Sequence, residues 1–196
     1  MSINNWLVEN KYMTLTKDIS ELDEKDEGAL FRYVDWSKTK AYSLGFNSIY
    51  LNLKGREGKG IVEESEKRKV ADEIISNLQA FKDIENNNTP IYRAYKNEEI
   101  YKGNFALNGP DIVVGFNAGY RMAWETALGG LSKSTIYNNT KVWNGDHLTD
   151  PSFVQGMLIS NIKLNIGEAS QMDVAPTILD AVGIRIPDEM DGKSLL

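Results

Sequence analysis

The stretch VEESEKRKVADEIISNLQAF (62–81) constrains the fold of this chain more than any other. It places Val70, Ile74, Ile75 and Leu78 on one face of a 3.6-residue helix, with charged side chains opposite. A helix of that kind has to bury its apolar stripe against a second layer. Material for that layer flanks it. FNSIYLNL (46–53) alternates as a strand does, and IYRAYKNEEIY (91–101) reads as a strand or strand pair. PDIVVGF (110–116) is a short apolar strand of the kind buried in a central sheet, and GMLISN (156–161) is expected to be another buried strand. Strands that alternate with helices predict an α/β layer architecture.

The rest of the chain fits around these elements. NNWLVENKYMTLT near the start reads as a helix leading into a strand, and KDISELDEKDEG (17–28) is acidic and turn-rich. FRYVDWSKTKAYSLG (31–45) ends in Gly45, KGREGKG (54–60) is a glycine-punctuated loop, and IENNNTP (84–90) is a turn. A long irregular region with several glycines runs from Asn117 to about Gly156. MDVAPTILDAVGI (172–184) predicts a helix with Asp173 as N-cap, Pro176 in the first turn and Gly183 as C-cap. No domain boundary, repeat or low-complexity segment is visible, so the 196 residues read as a single domain.

Composition narrows the function classes. A net charge of −6 and a dispersed set of Lys and Arg argue against binding to nucleic acid or an anionic membrane, which reward clustered positive charge. The absence of cysteine excludes disulfides, thiolate zinc sites and a cysteine nucleophile. MSINNWLVENKYMTL has neither the basic nor the apolar part of a signal peptide, and no apolar run reaches the roughly 20 residues that span a bilayer. The chain as written is expected to be cytoplasmic, with any upstream signal lying outside it.

Three stretches together carry a resemblance. DVAPTILDAVGIRIPDEMDGKSLL (173–196) is similar to the ending of alkaline-phosphatase-superfamily and sulfatase-like enzymes: an Asp-x-x-Pro-Thr helix, a Gly-Ile-x-x-Pro turn and a Met-Asp-Gly-Lys-Ser-Leu tail. VDWSKTKAYSLGFNSIYLNLKGREGKGIV (34–62) resembles a segment of the type I phosphodiesterase/nucleotide pyrophosphatase branch. WNGDH (143–147) resembles that branch's Trp-Ser-Gly-Asp-His element, with Asn144 in place of the usual serine.

The resemblance implies an alkaline-phosphatase-like three-layer α/β/α domain with a central mixed sheet. It also implies two zinc ions held by Asp and His residues, with a Thr or Ser nucleophile, acting on a phosphoric-ester substrate. In the family the late histidine is a zinc ligand. That role falls on His147, the only histidine in the chain, and Asp146 is placed to orient the imidazole. A dinuclear site of this family's kind needs three histidines and several aspartates, and the family's Ser-Asp-His-Gly element, which supplies two of the ligands, has no counterpart here. The family continues after that element with Asn-x-Trp-Leu-x-x-Asn-Gly-Tyr-Leu, which INNWLVENKYMTL resembles. The resemblance therefore implies that residues 1–196 are a single partial domain, the C-terminal portion of such an enzyme, inactive alone, that works with a missing N-terminal half or self-associates. A non-catalytic binding module and one half of a split enzyme are the alternatives.

Four further residues are candidates for the wall of a cleft. Lys54 and Arg56 sit among Gly55, Gly58 and Gly60, which reads either as a phosphate-cradling loop or as a strand-to-helix connection with solvated charges. Tyr120 and Trp124 offer stacking faces, or they belong to the core. Ser37 and Thr39 have no second histidine to serve as their base.

Overall fold

The computed structural model of the chain describes residues 1–21, 30–140, 142, 145 and 149–196. They divide into two units, Met1–Phe153 and Val154–Leu196.

Helix α1 (Ile3–Glu9) begins at Ser2, whose hydroxyl accepts the Asn5 N–H at 3.3 Å as an N-cap. The helix buries two asparagines beside Ile3, Trp6 and Leu7. Asn4 donates to the carbonyls of Ser43 and Gly130 and accepts the Ser43 N–H at 2.8 Å. Asn5 exchanges a similar pair of bonds with Ser132, at 2.7 and 2.8 Å. A side-chain amide carries the same donor and acceptor as a peptide group, so each asparagine acts as a one-residue strand beside its partner.

Strands β1 (Ala41–Ser43) and β2 (Ser48–Leu51) form a hairpin in which Ala41 faces Leu51 and Ser43 faces Ile49. Its turn uses left-handed backbone at Gly45 (φ 74°) and Asn47 (φ 54°), residue types that tolerate it. Helix α2 (Lys67–Ala80) follows, then β3 (Ile91–Lys96), the single helical turn α3 (Asn97–Ile100), β4 (Ile112–Phe116) and the short α4 (Trp124–Ala127). The sheet order is β1-β2-β4-β3, and every neighbouring pair is antiparallel. Because β2 and β3 both oppose β4, they run the same way, with α2 as the connection between them. The result is a split β-α-β unit with β4 inserted at its centre. The α/β class expected from the sequence is the class observed.

The face predicted for α2 is the one that packs. Ala71, Ile74 and Leu78 are buried, and Val70 and Ile75 are half-buried against a core that includes Leu51, Ile91, Ile112 and Val114. Burying Ile74 or Leu78 stabilises the fold by about 1.5–3 kcal/mol each. The helix starts later than its sequence pattern, because Glu64–Glu66 forms a 3-10 turn and Val62 bridges to Leu53. β3 ends at Lys96, where the Asn97 amide donates to the carbonyls of Ala106 and Pro110 and turns the chain.

One expected strand is absent. Residues 156–161 are not extended in a sheet, and Met157 and Ile159 are exposed. A strand exists only where a neighbour accepts its backbone hydrogen bonds, and no described strand lies beside this run.

The second unit is organised by its ends. A 3-10 turn, Gln171–Asp173, runs into α5 (Val174–Ala181), and Gly183 (φ 71°) closes the helix as predicted. Asp173 does not cap α5 in the expected way. Its carboxylate accepts the N–H of Ser170 at 2.7 Å and of Lys193 at 2.8 Å, which holds it below the usual carboxylate range. Thr177 donates to the Asp173 carbonyl and accepts the Leu195 N–H. The MDGKSLL tail is thereby bound to the start of the helix. Among the described residues, no helix is long and apolar enough to cross a membrane.

Asp111, at the entrance to β4, is buried and accepts three partners. Its carboxylate takes the Leu51 N–H at 2.7 Å, Arg56 through both terminal nitrogens at 2.6 and 3.1 Å, and Lys67 at 3.2 Å. It therefore joins β2, β4, the glycine loop and the start of α2. Replacing Asp111 with Ala leaves the buried Leu51 N–H without its acceptor and takes one carboxylate from Arg56 and Lys67. The expected loss is about 1–3 kcal/mol of stability, measured by urea unfolding.

Candidate functional site

The WNGDH element is the only stretch to which the sequence assigns metal chemistry, and His147 and Asp146 lie outside the described residues. The described residues on either side of them are held in place. On one side Arg121 donates to the Gly145 carbonyl at 3.1 Å. The same guanidinium lies over the Trp124 ring, 5.5 Å from its centroid. Trp124, at the start of α4, also meets Phe46 edge-on at 6.5 Å. Arg121 and Trp124, with Met1, Met122 and Tyr137, line a small cavity of about 40 Å³.

On the other side Asp150 is buried against the sheet. It accepts the Tyr95 hydroxyl at 2.7 Å from β3 and the Ser152 N–H at 2.9 Å. With Pro151 in the first position of the 3-10 turn Pro151–Phe153, it acts as that turn's cap. Gly115 in β4 makes room for it, since a Cβ there would sit 2.1 Å from the Asp150 carboxylate. Burial works against the ionised form of Asp150, but the bonds from Ser152 and Tyr95 outweigh it and hold the carboxyl below its ordinary range. Burial and the Asp150 carboxylate push the Tyr95 phenol up.

The four cleft candidates are distributed over three places. Lys54 pairs with Glu63 on the surface. Arg56 is engaged with Asp111, with Glu57 at 2.8 Å and with the Leu51 carbonyl at 2.7 Å. Burial opposes the Arg56 charge, but its bonds to Asp111 and Glu57 prevail and raise its pKa. The Tyr120 hydroxyl donates to Asp83 at 2.7 Å and meets Asn86 in the turn before β3. Of the four, Trp124 alone is joined through Arg121 to Gly145. Among the described residues, no three His, Asp or Glu side chains gather as metal ligands. They do not make a zinc site by themselves.

Sequence reasoning passed over Arg121, Tyr95, Asp111 and Asp150. Asp150 had a signal, the Thr-Asp-Pro-Ser run that opens helical turns. The others had none, because their partners are distant in sequence.

Comparison with known proteins is sparse. No family model and no solved structure matches the chain. The 2,3-bisphosphoglycerate-independent phosphoglycerate mutase of Vesicomyosocius okutanii is 33% identical over 100 residues, which is 50% of this chain and 17% of the mutase. That likeness is consistent with the alkaline phosphatase superfamily, of which the mutase is a member.

Two measurements check the seating of Asp150 over Gly115. Gly115→Ala is expected to cost about 1–3 kcal/mol, and less in an Asp150→Ala background where the clash is gone, as a double-mutant cycle would read. Asp150 has a folded-state pKa below its ordinary 3.8, so its contribution is present above that pH and lost as the pH falls through the depressed value. Asp150→Asn is therefore expected to flatten the acid limb of the stability–pH curve below pH 4 and to leave its slope at neutral pH unchanged.

Proposed function

We propose that the chain is the C-terminal portion of a zinc-dependent phosphoric-ester hydrolase of the phosphodiesterase/nucleotide pyrophosphatase kind. The observation that carries the reading is the likeness of half the chain to a phosphoglycerate mutase, taken with the WNGDH and DVAPTILDAVGI…MDGKSLL stretches. His147 supplies one ligand to a two-zinc centre, and Asp146 orients its imidazole. Zinc, when bound, activates a nucleophile and neutralises the charge of the transferred phosphoryl group. The chain's own contribution is positional. Arg121 holds the Gly145 carbonyl, and Tyr95 holds Asp150, so the segment that carries His147 is fastened before and after it. With one histidine, the other ligands and the nucleophile come from a different polypeptide segment.

The second unit supports a need for such a segment. Met157, Ile159, Ile178 and Val182 are exposed apolar side chains in a unit of 43 residues that runs from Val154 to Leu196. Apolar side chains left exposed in this number suit cover by another chain or another copy. A non-catalytic binding module is the second reading. It is favoured by the commitment of Arg56 and Tyr120 to bonds within the fold.

Two experiments separate these readings. The purified chain is expected to bind zinc, with affinity at least tenfold lower in His147→Ala, and to leave a bis(nitrophenyl) phosphate ester unhydrolysed. Zinc-dependent turnover by the chain alone, lost in His147→Ala, overturns the partial-site reading, and zinc affinity indifferent to His147 overturns the ligand assignment. Sedimentation velocity is expected to show concentration-dependent association that falls in Met157→Glu/Ile159→Glu.

A further inference from the structure

We infer that Met157 and Met172 are sites at which a hydroperoxide converts the thioether to a sulfoxide, and that this modification makes the apolar surface of the second unit polar.

The six methionines of the chain divide with its two units. Met1, Met13 and Met122 belong to the core of the first unit and are at most 6% exposed. In the second unit Met157 is 86% exposed, Met172 62% and Met190 38%. Oxidation of a thioether needs direct approach to the sulfur, so a peroxide in solution meets the second set and not the first. Met172 stands on a fixed backbone. It is the middle residue of the 3-10 turn Gln171–Asp173, and a Cβ on Gly192 would lie 2.1 Å from its carbonyl oxygen, so the tail crosses it closely. The Ser170 and Lys193 N–H groups on Asp173 hold the same turn, while Met172 itself remains open to solvent.

In the reaction a sulfur lone pair attacks the terminal peroxide oxygen. The S–O bond forms as the O–O bond breaks, the sulfur is oxidised by two electrons, and the leaving oxygen takes a proton to become water or an alcohol. A methionine sulfoxide reductase reverses the step, its thiols oxidised to a disulfide as the oxygen leaves in water. The chain has no cysteine, so no thiolate of its own consumes the oxidant first. Met157 lies beside Leu158 and Ile159, which are exposed as well. A thioether is flexible and polarisable and suits an apolar contact surface, whereas the sulfoxide is polar and keeps its water. That the oxidised surface also releases a covering chain or copy rests on the cover proposed for this unit.

The test adds hydrogen peroxide to the full chain and follows each methionine by peptide mass spectrometry. Met157 and Met172 are expected to gain one oxygen at least roughly tenfold faster than Met1, Met13 and Met122, a difference that disappears in urea. Anilinonaphthalene sulfonate, a dye for apolar surface, is expected to bind the oxidised chain at least about twofold more weakly and to recover after methionine sulfoxide reductase. In the Met157→Leu/Met172→Leu chain, checked for cooperative unfolding, peroxide is expected to leave dye binding as it was. Equal rates at all six methionines of the folded chain overturn the site assignment. Undiminished dye binding after full oxidation of Met157 and Met172, or an equal loss in the leucine chain, overturns the change of surface. Both readouts use the chain alone, so they stand or fall separately from the cover proposed for this unit.

Discussion

The first unit depends on one buried carboxylate. Asp111 enters the core at the mouth of β4 and finds the Leu51 N–H, the Arg56 fork and the Lys67 ammonium around it. An ionised carboxyl at that depth is tolerable only when its oxygens are fully occupied by donors. Meeting that condition brings four elements to one point. β2 stops pairing where Asp111 takes its N–H, the glycine loop folds back so that Arg56 can reach, and α2 begins where Lys67 closes the ring. The central position of β4 between two parallel-running strands follows from the same point.

Two asparagines do similar work at the other edge of the sheet. Asn4 and Asn5 on α1 present amides to Ser43 and Ser132 and let a buried helix satisfy backbone groups that would otherwise need another strand. Polar residues in a helix interior usually lower helix propensity, but here the loss is offset by bonds that fix the helix against β1 and against the loop after α4. The residues that flank the WNGDH element are bonded to the same base, Gly145 through its carbonyl to Arg121 and Asp150 through a carboxylate wedged over Gly115.

The second unit has a different balance. Its internal order comes from polar bonds between the DVAPT helix start and the MDGKSLL tail, whereas much of its apolar surface faces outward. Hydrogen bonds give it shape and leave the hydrophobic contribution to whatever covers it.

By itself the sequence determined the elements whose signal is local. The α2 face, the buried β4, the Gly45 turn, the Gly183 helix stop and the α/β class all follow from periodicity and backbone preference, which act over a few residues. The metal role proposed for His147 rests on residue type and context within one short stretch. Tertiary structure decided everything that needs a distant partner. It withheld a strand at 156–161 because no described neighbour accepts its bonds, and it drew Arg56 to Asp111, 55 residues away, whose buried carboxylate needs donors. It also brought Phe31, Trp36 and Tyr42 together edge to face. Hydrogen bonds and charge pairs depend on separation in space, and that separation exists only once the chain has folded.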